Sequence, residues 1–128
     1  MKKPKVFSPL NRNRETKQFN PRKSRDNMYK STDWFVYRKA FLSINKSCYC
    51  CGHPATVVDH IVAAKDDREL FEKLDNHLPL CHICHNTITA LFDRHAKQKL
   101  KEKLEWIAEK RKIHGINIVV KVLPKFGK

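Results

Sequence analysis

The sequence predicts a small α+β protein built around a four-cysteine metal site, and three observations carry that expectation. Two Cys-x-x-Cys pairs, Cys48/Cys51 and Cys81/Cys84, are separated by 29 residues. Helical and strand patterns alternate between and after them. A basic stretch comes first, with ten Lys/Arg in residues 1–31 against Glu15 and Asp26. At 128 residues the chain has the length of one domain. The pattern divides it into a flexible basic arm over 1–28 and a single domain over 29–128.

The cysteines set the first element of the site. Five of them, in two tight groups, fit a secreted disulfide framework poorly. Two thiolates three positions apart on a tight turn can face one ion, and two such turns make a tetrahedral Cys₄ zinc site. Cys50 fits neither pair and reads as a spectator, although the first pair could be drawn from Cys48, Cys50 and Cys51. The opposing reading is a set of buried free thiols.

Charge sets the partner class. A net +14 on a short chain attracts polyanions, of which nucleic acid is the commonest. Arg22, Lys23 and Arg25 in the arm, with Arg38 and Lys39 beyond it, are the candidate DNA contacts. Residues 59–75 form an acidic island of six carboxylates against Lys65, Arg68 and Lys73. One part of the chain therefore suits a polyanion and another a cation. Apolar runs such as 61–64 and 118–120 fall far short of a membrane span, and no apolar stretch follows Met1-Lys2-Lys3-Pro4 to make a signal peptide.

Each element has its own signal. Ser31-Thr32-Asp33 can cap a helix whose Trp34, Tyr37, Phe41 and Ile44 share a face, with Arg38 and Lys39 opposite. Residues 45–47 end it, and Gly52 supplies the positive φ of a knuckle turn. The β-branched run 55–61 predicts a strand. A short amphipathic helix follows over 66–74, then a strand over 77–80 that Pro79 restricts to an edge or a strand end. Residues 82–92 read as helical. A longer helix over 94–113 has Leu100, Leu104, Ile107 and Ala108 as its buried stripe and Gly115 as its stop. Its lysines, Lys103 among them, read as a solvated face or a second DNA surface. Ile116, Ile118, Val120 and Val122 alternate as a last strand ended by Pro124.

The 29-residue spacing exceeds the roughly 15–20 of a compact zinc ribbon, so something is inserted. The insert holds Asp59-His60 at a strand end and then Asn76, while His85 follows the last zinc cysteine. A metal staple would fix these groups rigidly relative to one another. With Cys48-x-x-Cys51-Gly52, the run Ala55-Thr56-Val57-Val58-Asp59-His60-Ile61 and the run Asn76-His77-Leu78-Pro79-Leu80-Cys81-His82-Ile83-Cys84-His85-Asn86, the chain resembles the HNH endonucleases of the zinc-stapled bacteriophage type. Tyr29-x-Ser31 with Trp34, Arg38, Phe41 and Leu42 looks like the helix preceding the knuckle in phage members. The resemblance covers about 29–92.

The resemblance implies a ββα-metal, treble-clef-like core and hydrolysis of DNA to 5′-phosphate and 3′-hydroxyl ends. It assigns His60 as general base, Asp59 and His85 as ligands of one catalytic Mg²⁺, Mn²⁺ or Ni²⁺, and Asn76 as organiser of His60. It implies terminase subunits as partners and the host cytoplasm as location, and a monomer is assumed. Neutral imidazole can take a proton from water near pH 7, and a carboxylate with an imidazole suits a divalent ion. Asp59 and His60 are adjacent, so the strand must end or bulge for both to serve one phosphate. His53, His77, His82, His95 and His114 receive only surface or packing roles. The chain departs from the family at Ala63, where proline is common, at Ile88-Thr89 in place of Lys-Thr, and at Thr89, where some relatives have a second histidine. Two rival readings are a non-catalytic zinc module that binds nucleic acid and a site-specific homing nickase.

Overall fold

The computed structural model describes residues 26–127. The candidate contacts Arg22, Lys23 and Arg25, and most of the arm read over 1–28, lie outside the described residues. Residues 26–29 form a helical turn, and Met28 is buried in the core.

Helix α1 spans Thr32–Ile44, and the Ser31 hydroxyl caps it by accepting the Trp34 N–H at 3.1 Å. Trp34, Tyr37 and Phe41 are its buried stripe, while Ile44 is exposed at the helix end. Strand β1 (Val57–His60) pairs antiparallel with β2 (His77–Leu80). Between them Asp67 caps a short helix, α2 (Arg68–Glu72), and a 3₁₀ turn covers Leu74–Asn76. In a two-stranded sheet every strand is an edge, so Pro79 lacks no partner that it needs. Its carbonyl accepts the Tyr49 N–H of the first knuckle at 2.8 Å.

Register determines the rest. Asp59 pairs with Leu78 and His60 with His77, without a bulge. The side chains of paired residues share a face and successive ones alternate. Val58, His60 and His77 therefore face α1, whereas Asp59, Leu78 and Leu80 face the cysteines. The buried residues divide the same way. One cluster joins Met28, Trp34, Tyr37, Phe41, Val58, Ala64 and Phe71. The other joins Cys48, Cys50, Leu78, Leu80, Cys81, Cys84, Ile88, Phe92 and Ile107.

Helix α3 (His82–Ile88) begins at Cys81, whose sulfur caps it by accepting the Cys84 N–H at 3.4 Å. It runs into a wide π turn over Thr89–Asp93. Helix α4 covers Leu100–His114, six residues later than the pattern predicted at its start. The intervening chain is held by Gln98, which bonds Ile61 O, Ala63 N and Asp93 Oδ1 with its side-chain amide. The buried stripe of α4 also differs from the expected one. Ile107 is buried, but Leu104 and Ala108 face solvent, and Lys103 is wholly buried in their place. Gly115 ends the helix at φ 65°.

The alternating segment 116–122 is not a strand. Among the described residues no β-partner reaches it, and side chains hold much of its backbone. Asn45 accepts from Lys121 N and donates to Lys121 O, and Arg111 donates to Ile118 O. Among the described residues no helix is long and apolar enough to cross a membrane.

Candidate metal centre and active site

The sulfurs of Cys48, Cys51, Cys81 and Cys84 lie within 4.8 Å of one another. A tetrahedron with Zn–S bonds of about 2.3 Å has edges of about 3.8 Å, and Cys51 and Cys81 stand 3.7 Å apart. The group could hold a structural metal ion such as zinc. Its protonation chemistry agrees. A hydrogen bond from the Cys50 thiol pulls Cys48 down to about 3, and the same bond, aided by burial, pushes Cys50 up. Burial also pushes Cys51 and Cys84 above the ordinary thiol range. Without an ion, one thiolate forms easily and further ones are resisted; a dication reverses that order. Cys50, expected to be a spectator, is thus a fully buried free thiol hydrogen-bonded to a candidate ligand.

A second site lies at the far end of the sheet, in a cleft of about 280 Å³ lined by Tyr29, Asp59, His60, Lys65, His85 and Asp93 with smaller neighbours. Asp59 enters it from the cysteine face and His60 from the α1 face, because both belong to the last regular pair positions of β1. A bulge is not needed; the strand ends there and the cleft is reached from both sides. Asp59 Oδ1 lies 3.2 Å from His85 Nδ1 on α3. His85 Nδ1 is buried and has no hydrogen-bond partner among the described residues. Two donor atoms about 3 Å apart match cis ligands of one ion at metal–ligand distances of about 2.1 Å. Asp59 is buried, which opposes its charge, yet His85 and Lys103 outweigh that and hold its carboxyl below the ordinary range.

His60 is 5% exposed, and its Nε2 donates to Phe71 O at 3.0 Å. The proton-accepting lone pair therefore falls on Nδ1. Trp34 stacks on the ring at 5.7 Å between centroids. Burial, with the nearby His77, lowers the imidazole to about 4, so it is neutral throughout the physiological range. His77, expected to be a surface or packing residue, is 1% exposed and hydrogen-bonded on both nitrogens. Tyr37 OH donates to its Nδ1 at 2.6 Å, and its Nε2 donates to the same Phe71 carbonyl at 2.8 Å.

Asn76 touches backbone and not the His60 ring. Its Oδ1 accepts from Val62 N, and its Nδ2 donates to Val62 O and Leu70 O. It closes the 61–76 loop, and so places the Phe71 carbonyl that holds His60. Of the candidate DNA contacts within the described residues, Arg38 donates to Thr56 O at 2.9 Å and Lys39 is exposed. Lys103 is the residue that sequence reasoning missed, since a lysine on an amphipathic helix reads as solvated. A larger groove of about 600 Å³ beside the cysteines has no carboxylate in its lining.

Compared with known proteins, the chain matches no family model, no curated protein and no solved structure.

Proposed function

We propose that the chain is a metal-dependent DNA endonuclease of HNH type, with β1, β2 and α3 as its ββα-metal core. One observation carries this reading: Asp59 Oδ1 and the unpartnered His85 Nδ1 lie 3.2 Å apart in the cleft that the neutral His60 also lines. An ion held by Asp59 and His85 would supply positive charge for the pentacoordinate phosphate and the leaving 3′ oxygen. His60 takes the proton of the attacking water at Nδ1. As positive charge develops on the ring, the Phe71 carbonyl facing Nε2–H stabilises it. Asn76 acts through the loop as a positioning residue. The basic stretch over 1–31 and Lys39 supply affinity for phosphates, and Arg38 keeps part of its guanidinium for the Thr56 carbonyl. A bacteriophage origin and action beside terminase subunits belong to the same reading.

The deciding experiment is conversion of supercoiled plasmid by zinc-loaded protein with Mg²⁺, Mn²⁺, Ni²⁺ or no added metal, beside His60→Ala. Metal-dependent nicked or linear product, absent in the variant, is expected. Plasmid binding without conversion by the wild type, with terminase subunits present as well, would replace this reading with the zinc-containing binding module.

A further inference from the structure

Among the described residues Lys103 is the only buried lysine, and no step of the proposed reaction uses it. Its Nζ lies 2.7 Å from His60 O, 2.9 Å from Ile61 O, 3.0 and 3.2 Å from the two Asp93 oxygens, and 3.3 Å from Asp59 Oδ2. Three N–H bonds are thus shared among four oxygens, while Asp59 Oδ2 is ion-paired with the ammonium without a hydrogen bond from it. The π turn supplies Asp93 and α4 supplies the lysine, so two elements outside the β1–β2–α3 unit converge behind the cleft. Asp59 is divided by this arrangement. Its Oδ2 is buried and turned to the ammonium, while its Oδ1 is turned to His85.

We propose that Lys103 is a positioning residue that makes Asp59 a one-oxygen donor and thereby tunes the Asp59–His85 pair to small divalent cations. The proposal rests on reading that pair as metal ligands. Mg²⁺ takes single carboxylate oxygens at about 2.0–2.1 Å, and Mn²⁺ suits the same ligand chemistry. Ca²⁺ takes six to eight oxygens at about 2.3–2.6 Å and often binds both oxygens of one carboxylate. For Asp59 to offer both oxygens, the dication would have to approach Oδ2 and displace the ammonium from it. Like charges at that separation oppose each other strongly where water is excluded. Lys103 therefore selects against Ca²⁺ without touching either metal or DNA.

Direct metal binding tests this, with readouts independent of cleavage. Zinc-loaded wild type, His85→Ala, Lys103→Met and Lys103→Met/Asp93→Asn are titrated with Mn²⁺ and with Ca²⁺ by calorimetry, with circular dichroism and zinc content as controls for fold. The double variant avoids leaving the partly buried Asp93 carboxylate without its ammonium partner. Wild type is expected to bind Mn²⁺ at a site that His85→Ala destroys. In the lysine variants the Ca²⁺-to-Mn²⁺ affinity ratio is expected to rise by about tenfold or more, the scale of removing one nearby charge. An unchanged ratio in a folded variant, or equal loss of both ions, overturns the role of Lys103 while leaving the metal pair standing. A wild type with no His85-dependent Mn²⁺ site overturns the metal pair, and Lys103's role falls with it. If neither lysine variant folds, the Mn²⁺-minus-apo infrared difference spectrum of wild type decides. A one-oxygen carboxylate splitting supports the proposal and a two-oxygen splitting overturns it.

Discussion

The two faces of the β1–β2 sheet are held together by different means. On the α1 face, Trp34, Tyr37, Phe41 and Phe71 bury large rings against one another, and Phe126 stacks on Tyr37 at 4.7 Å. On the other face four of the nine buried residues are cysteines, and Leu78, Leu80, Ile88, Phe92 and Ile107 supply its apolar bulk. The α1 side is an ordinary hydrophobic core. The cysteine side brings together four sulfurs that could hold an ion across it. Each face also delivers one half of the candidate site, His60 from the aromatic side and Asp59 with His85 from the cysteine side. Rigidity at the cleft therefore depends on both kinds of cohesion at once.

Metal removal is the largest expected perturbation of this contrast. Chelation, or Cys81→Ser, is expected to unfold the knuckle and α3 while α1 retains helix. Structural zinc contributes up to about 10–16 kcal/mol in small zinc domains, and only part of that falls on a domain with a second core. Hydrogen exchange resolved by segment checks it; equal deprotection of both faces would erase the distinction.

Next comes Phe41→Ala, which removes a fully buried ring from the aromatic side. Destabilisation of about 3–5 kcal/mol in urea is expected, with zinc affinity unchanged. A parallel loss of zinc would show that the two faces unfold as one.

Acid provides a subtler probe of the aromatic face. His60, lowered to about 4, and His77, also lowered by burial, are neutral in the fold, whereas the unfolded chain takes up their protons below about 6.5. Stability from these two groups is complete above about pH 6.5 and declines down to about 4. The His60 ring signals in NMR are expected to stay those of neutral imidazole at pH 5.5; a midpoint near 6.5 would mean that the ring is not enclosed. Asp59, whose carboxyl is held low, contributes its own loss only at still lower pH.

The smallest expected effect lies outside both clusters. Ser31→Ala removes the α1 cap and is expected to cost about 1 kcal/mol, read as a shift of the urea midpoint without change in slope.

Local chemistry made much of this legible in the sequence. Ser31 marked the start of α1, and Asp67 lies inside the segment read as the short helix that it caps. The strand 77–80 matched its bounds, and Gly115 marked the end of α4. The paired cysteines came together as their spacing required. The misreadings share one cause, since each concerned what a segment meets and not what it contains. The alternation over 116–122 has strand character but no neighbouring strand among the described residues, and side chains of Asn45 and Arg111 hold it. Lys103 carries the composition of a solvated helix face, yet two carboxylates and two carbonyls converge on it. His77, by contrast, was expected at the surface or in packing and is in the packing, where pairing with His60 places it behind Tyr37. Asn76 was expected to orient His60 through its amide, but the amide reaches only backbone of Val62 and Leu70, which depended on the fold of the loop.

The unbroken register through Asp59 and His60 carries a consequence for how such a chain can change over generations. A one-residue insertion or deletion in β1 ahead of this dipeptide would turn every later side chain of the strand over. The carboxylate would then point into the rings around Trp34, and the imidazole would point at α3. Point substitutions elsewhere in the strand leave that assignment of sides intact. Gains and losses of chain length should therefore be tolerated least at β1, however conservative the residues added.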